Sequence, residues 1–283
     1  VYADSVLNRY LSKIEQSYPP AMRYSNVSKN SVDINTRYLQ GGLLLMDNNT
    51  GHVLAMIGGR NFTHSKYNRI TQAKRQPGSS IKPTYYTAAL EKGYTPATVI
   101  IDSPITLTGG DGKEWTPQNF SRQYYGPTRM RTAITYSYNV WAVKAVMDIG
   151  LDVVNDAFLR FGINTKAADY SAALGAYEVT PLNLISAFTT FPNGGYRTKP
   201  IFITRVEDMN GKVLERSATS KYQVTSPEVA FLMTSMLQSV VTSGTGAAAR
   251  NNYYWQAAGK TGTSSDHRDA WFIGFNKKYT LGI

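Results

Sequence analysis

A chain of 283 residues, 42% hydrophobic and 17% charged, can bury a sizeable core and suits one large domain or a domain with an extension. Thirty Lys and Arg against 19 Asp and Glu leave a formal charge of +11, but the basic residues are scattered. The charge suits an anionic envelope surface of lipid or wall polymer as well as nucleic acid, and no basic run singles out nucleic acid as a partner. The absence of cysteine excludes a disulfide framework and a thiolate metal site. His52, His64 and His267 show no ligand spacing, so neither a metal nor a cofactor is expected. No apolar run approaches a membrane span and no signal peptide opens the chain, which reads as either soluble or a fragment.

In chain order, Val6, Leu7, Tyr10, Leu11 and Ile14 fall at helical spacing, and Pro19-Pro20 stops that helix. Residues 21–38 are polar and turn-like. "GGLLLM", "DNNTG" and "HVLAMIGG" predict a hairpin of 41–46 with 52–58. A helix is expected to begin close to Ser79, because Pro83 fits only the first turn, and to end near Gly93. Residues 94–127, rich in Pro, Gly, Asp and Thr, read as a long irregular segment. Residues 128–150 and 151–161 read as helices, the first interrupted by Ser137-Tyr138-Asn139. "TPLNLISAFTTF" predicts a helix with Thr180 as N-cap and Pro181 at the first helical position. Residues 200–224 suggest a short β-rich excursion and 226–242 another helix, for which "SGTG" at 243–246 reads as the ending turn. "QAAGKTGTSS", "DAWFIGF" and "YTLGI" close the chain as three strands. Strands at both ends with helices between predict an α+β fold, an α/β sandwich with one antiparallel sheet built from both chain ends and helices packed on it.

Taken singly, the chemical motifs are weak. Ser79-x-x-Lys82 is a common helix start, Ser137-x-Asn139 a common helix break, and "GKT" at 259–261 fails as a phosphate loop because Tyr254 stands where a glycine is needed. In this order, Ser-x-x-Lys, Ser-x-Asn and Lys-Thr-Gly form the motif set of penicillin-binding proteins and serine β-lactamases. "YNRITQAKRQPGSSIKP", "EVTPLNLISAFTTFPNGG" and "GKTGTSSDHRDAWFIGF" resemble the transpeptidase domain of class A, bifunctional penicillin-binding proteins. The resemblance covers 38–283. Residues 1–37 resemble the linker after that family's glycosyltransferase domain. A C-terminal strand and helix, that glycosyltransferase domain and a membrane anchor are expected to be missing, and the location implied is the extracytoplasmic face of a bacterial membrane.

The resemblance implies a serine D,D-transpeptidase that cross-links peptidoglycan stem peptides and is acylated by β-lactams. Ser79 would attack the D-Ala-D-Ala amide, and Lys82 would take its proton. An unperturbed lysine is neutral only ~0.04% of the time at pH 7. Burial and a second cation, Lys260, would lower its pKa, the charge alone by about two units at ~5 Å and an effective dielectric of ~20. Strand alternation puts Lys260 opposite Thr261 and Thr263, leaving the threonines, with Gly262 between them, to hold the substrate carboxylate. Ser137 would relay the proton to the leaving group and Asn139 would hold a substrate amide. The backbone N–H groups of Ser79 and Thr263 would form the oxyanion hole. Trp115 and Asn119, in "EWTPQNF", are candidates for lining the substrate cleft. The 20 tyrosines, Tyr124 and Tyr125 among them, could stack against sugars or peptide, with packing or surface roles expected for most. A β-lactamase would carry Glu-x-x-Leu-Asn, whereas Glu178, Leu182 and Asn183 are spaced one residue too far. A D,D-carboxypeptidase and a non-enzymatic β-lactam sensor use the same motifs and stand as alternatives.

Overall fold

The computed structural model describes all residues except 28–36, 109–111, 113, 252 and 265–267. Part of the turn-like stretch before 38, His267 and the Ser265–His267 part of the last motif therefore lie outside the described residues.

The chain opens with α1 (Tyr2–Ile14), followed by the hairpin β1 (Leu43–Asp47) and β2 (Val53–Ile57). A 3-10 turn at Gly78–Ile81 runs directly into α2 (Lys82–Glu91). Four short strands come next: β3 (Val99–Asp102), β4 (Leu107–Thr108), β5 (Glu114–Trp115) and β6 (Gly126–Arg129). The helical middle comprises α3 (Met130–Thr135), α4 (Asn139–Ile149), α5 (Leu151–Arg160) and α6 (Pro181–Phe188). Beyond it lie β7 (Tyr196–Thr198), β8 (Arg205–Glu207), β9 (Val213–Arg216), β10 (Lys221–Gln223) and the helix α7 (Pro227–Thr242). The last three strands are β11 (Ala258–Thr263), β12 (Ala270–Phe275) and β13 (Tyr279–Gly282).

These elements make the expected α+β sandwich. One five-stranded sheet has the order β11-β12-β13-β1-β2, every pair antiparallel. Alternation sorts its two faces. Leu44, Met46, Ile273 and Phe275 face the helices in the main core. Leu43, with Leu45, Ala55, Ile57 and Leu281 around it, meets Leu7 and Leu11 of α1 on the other face. The N-terminal extension is therefore no free tether. Glu15 ends α1 as a buried carboxylate 2.7 Å from the Arg60 guanidinium, and it also accepts the Leu39 N–H at 3.0 Å. Arg60 reaches back to Asn8 and Ser12 of α1, so these contacts cross the boundary expected at 37/38.

Every residue of α2 from Lys82 to Leu90 is buried. Most of its polar side chains are satisfied: Thr84 and Thr87 donate to Ile81 O and Pro83 O, and Tyr85 donates to Ala173 O, while the buried Tyr86 hydroxyl has no hydrogen-bond partner among the described residues. Two local expectations change. The stretch 94–127 is not wholly irregular, since β3 pairs with β6 and β4 with β5; ladders this short carry no readable alternation. Thr180 does occupy the N-cap of α6, with Pro181 at the first turn, but its hydroxyl caps nothing. The Leu182 N–H bonds Ile70 O instead.

Candidate active site

Ser79 sits in the 3-10 turn that opens α2, and this turn is pinned on several sides. Arg75 exchanges backbone bonds with Val179, and the Trp271 indole of β12 donates to Gln76 O at 3.1 Å. Gly78 adopts φ +53, the left-handed region that glycine enters without strain. A Cβ there would overlap the carbonyl of Thr263, and one at Gly262 would overlap Pro77 O. The glycines let β11 lie against the Ser79 turn backbone to backbone, which puts the peptides before Ser79 and at Thr263 side by side. The adjacent serine is occupied: Ser80 is fully buried and donates to Pro77 O at 2.6 Å. Ser79 stays partly exposed.

One turn on, Lys82 is fully buried. Its Nζ lies 2.8 Å from Asn139 Oδ1, 2.9 Å from Ser137 O, 3.1 Å from Tyr138 O and 3.5 Å from Ser137 Oγ. Lys260, equally buried on β11, donates to Ser137 Oγ at 2.9 Å and to Thr261 O at 3.0 Å. All these partners are neutral; among the described residues neither amine has a carboxylate. Burial first, then the positive charge of Lys260, hold the Lys82 amine well below the usual lysine range. Burial pulls Lys260 down to about 7.

Ser137 is held at φ +62, uncommon for a residue with a Cβ. Such a conformation costs on the order of 1 kcal/mol or more and persists where surrounding structure imposes it. Here it turns both the carbonyl and the hydroxyl of Ser137 toward Lys82. Asn139, at the first turn of α4, accepts from Lys82 and donates to Gln118 O at 3.0 Å, which leaves one amide N–H for a ligand. On β11, Thr261 is partly exposed and Thr263 exposed, while Lys260 and Gly262 are buried, as alternation requires.

Asn119 requires a correction. Expected to line the cleft, it is only 3% exposed and all its polar capacity is used inside the protein. Its Oδ1 accepts the N–H groups of Asn139 and Val140 at 2.7 and 3.2 Å, and its Nδ2 donates to Asp102 Oδ2 and Gln123 O. It is the N-cap of α4, supplied from another loop, because Tyr138 at the cap position makes no capping bond. Trp115 is half-buried with its ring against the main core. Tyr125 stacks on Tyr138 with centroids 4.3 Å apart and planes at 4°, so it builds the wall behind the Ser137 loop. Neither the Asn119 cap nor this stack has a sequence signature beyond the residue types themselves.

Glu178 is exposed and lines a polar cavity of about 650 Å³ with Lys74, Asn164, Tyr177, Thr180 and Asn183. Among the described residues no group of three or more His, Asp or Glu could hold a metal. No helix among them is long and apolar enough to cross a membrane.

A family model described as the penicillin binding protein transpeptidase domain matches residues 41–281. Penicillin-binding protein 1A of Neisseria flavescens is 39% identical over 254 residues, covering 87% of this chain and 32% of that protein. Penicillin-binding protein 1A of Rickettsia typhi is 37% identical over 269 residues, covering 86% and 34%. The chain thus spans about a third of the length of these relatives. Among solved structures, penicillin-binding protein 1A from Haemophilus influenzae superposes with a TM-score of 0.82 at 31% identity, covering 86% of this chain and 42% of that one. The imipenem acyl-enzyme complex of penicillin-binding protein A from M. tuberculosis gives 0.76 at 19% identity over 87% and 67% of the two chains, a likeness of fold.

Proposed function

We propose, for a chain that belongs to the penicillin-binding protein transpeptidase domain family, that it is a serine D,D-transpeptidase acting on D-Ala-D-Ala stem peptides of peptidoglycan. The observation that carries this reading is the pair of buried amines, Lys82 and Lys260, joined through the Ser137 hydroxyl with no carboxylate beside either among the described residues. An amine so placed is kept neutral and basic beside a nucleophile.

Neutral Lys82 takes the proton of Ser79 as its oxygen attacks the carbonyl of the penultimate D-alanine. The oxyanion is met by the N–H groups of Ser79 and Thr263; one such donor is typically worth about 3–4 kcal/mol. The proton passes through Ser137 to the departing D-alanine nitrogen, while Thr261 and Thr263 hold the terminal carboxylate, which the buried charge of Lys260 behind them attracts, and Asn139 holds a donor amide. The C–N bond breaks, leaving an ester on Ser79. The amine of a second stem peptide then attacks that ester and Ser79 recovers its proton. A β-lactam would stop the cycle at the ester, the state captured with imipenem in the M. tuberculosis fold neighbour. In the longer protein, we place a glycosyltransferase domain and a membrane anchor outside this chain, with the domain on the extracytoplasmic face of the cell membrane.

The test is intact mass spectrometry and peptide mapping after benzylpenicillin. The expected result is a single penicilloyl adduct on the peptide carrying Ser79, absent in Ser79→Ala. An adduct on Ser80 or Ser137, or one that survives Ser79→Ala, overturns the assignment. With a D-Ala-D-Ala thioester donor and a D-amino acid acceptor, transfer should exceed hydrolysis; hydrolysis alone at saturating amine makes it a carboxypeptidase.

A further inference from the structure

The turn "SGTG" after α7 does end that helix, but it also brings a residue to the site. The Thr245 Oγ1 lies 2.7 Å from Thr261 Oγ1 on β11. Thr245 is exposed, and Thr261 partly so. We propose that Thr245 belongs to the anion-binding face of the site, where its hydroxyl fixes the direction in which the threonine pair offers a proton to the terminal carboxylate of the acyl donor. This rests on the transpeptidase reading above and deepens it.

Each threonine hydroxyl carries one proton on a rotatable bond. When two hydroxyls pair, one proton is spent between them and the other is left free, on a donor polarised by its neighbour. The result is a single outward O–H with a set direction, where a lone Thr261 would have a free rotor. The geometry around the pair is fixed on both sides. Lys260 donates to the Thr261 carbonyl at 3.0 Å. The Thr245 N–H donates to Thr135 O at 3.2 Å, and the flanking Gly244 and Gly246 N–H groups both donate to Val240 O. A Cβ at Gly244 would overlap Thr135 O. Thr135 ends α3, two residues before Ser137, so the Thr245 turn is clamped between the helix that carries the Ser137 loop and the strand that carries Lys260. A helix-ending turn by itself requires no hydroxyl aimed at a residue of the neighbouring strand.

The test compares acylation of wild type, Thr245→Val and Thr245→Ser by benzylpenicillin and by its methyl ester, which lacks the anion. The quantity read is the ratio of second-order acylation rates, acid over ester. Loss of one hydrogen bond to a charged group predicts that Thr245→Val lowers this ratio by about ten- to a hundredfold. Thr245→Ser, which restores the hydroxyl, should return it to within about threefold of wild type. A melting curve checks that Thr245→Val remains folded. A ratio unchanged in Thr245→Val, or rates that fall equally for acid and ester, overturns the inference and leaves the transpeptidase reading intact. Failure of the wild-type chain to be acylated by either compound overturns that reading and this inference with it.

Discussion

The Lys260 amine donates to the Ser137 hydroxyl at 2.9 Å, and the same hydroxyl lies 3.5 Å from Lys82. Two buried amines therefore share one small polar group, and the proton occupancy of one depends on the charge of the other.

Acylation should have a bell-shaped pH profile. Lys82, held well below the usual range, must be neutral to act as base. Lys260, at about 7, must keep its proton to attract the carboxylate. The rate should climb as Lys82 deprotonates and fall as Lys260 does. In Lys260→Ala the repelling charge is gone, so the Lys82 pKa rises and the ascending limb moves to higher pH. Stopped-flow acylation by penicillin across pH checks this; an ascending limb that stays in place in the variant excludes the coupling.

Lys260→Met should stabilise the fold while nearly abolishing acylation. Burial lowers the Lys260 pKa from an ordinary 10.5 to about 7, so between those values the unfolded chain binds the proton more tightly. The stability of the native protein accordingly climbs as pH rises from about 7 toward 10.5, and the cost is fully present below 7. Removing the amine relieves a burden on the order of 4–5 kcal/mol at neutral pH, less the two hydrogen bonds it makes. Urea midpoints should favour the variant at pH 7, with the advantage shrinking by pH 10.

Asn119→Ala should cost about 2 kcal/mol or more. The change removes the cap from α4 and deprives the buried Asp102 of a donor. Since Asn139 follows the cap, acylation should slow as well. Denaturant titration together with the acylation rate checks both; an active, fully stable variant would show that the cap is dispensable.

Arg60→Ala should destabilise by roughly 3–5 kcal/mol, because it leaves the Glu15 carboxylate buried without a partner. The double change Arg60→Met with Glu15→Gln should recover much of the loss. Both are read by chemical unfolding; additive losses in the double variant would show that the pair is not coupled.

Glu178→Gln should leave the lifetime of the penicilloyl adduct unchanged, at many minutes. Glu178 is exposed before α6, and its spacing differs from that of a deacylating glutamate. Adduct decay followed by mass spectrometry decides; rapid turnover that disappears on substitution would identify a β-lactamase.

Much of this fold was legible because its signals are local. The apolar run of Leu43 to Met46 followed by the turn "DNNTG" marks the β1–β2 hairpin, and Pro83 fixes the start of α2 to within a turn. The order of Ser79, Lys82, Ser137, Asn139 and Lys260 along the chain was readable too, though not the distances among them. What the sequence hid depends on contacts between distant segments. The caps of α4 come from Asn119, twenty residues away across an irregular loop, so a residue type that suggested substrate contact serves as a brace. The docking of α1 rests on a buried Glu15–Arg60 pair that neither charge announces. Thr245 reads as a turn residue until packing sets it beside Thr261. The two- to four-residue ladders of β3 to β6 are too short for any periodicity to emerge.

The central pairing of the sheet has a consequence for how the protein comes into being. Leu44 of β1 lies opposite Gly282 of β13, more than two hundred residues later, and within the sheet the strand bearing Lys260 is joined to β1 through β12 and β13. During synthesis the hairpin that begins the sheet has no strand partner on this edge until β13 has emerged. Closing so long a loop is slow and leaves apolar strand edges bare in the meantime. The Ser79 turn and the Lys260 strand, far apart in sequence, meet only once both have emerged, so a chain cut short of β11 carries the serine without its second amine.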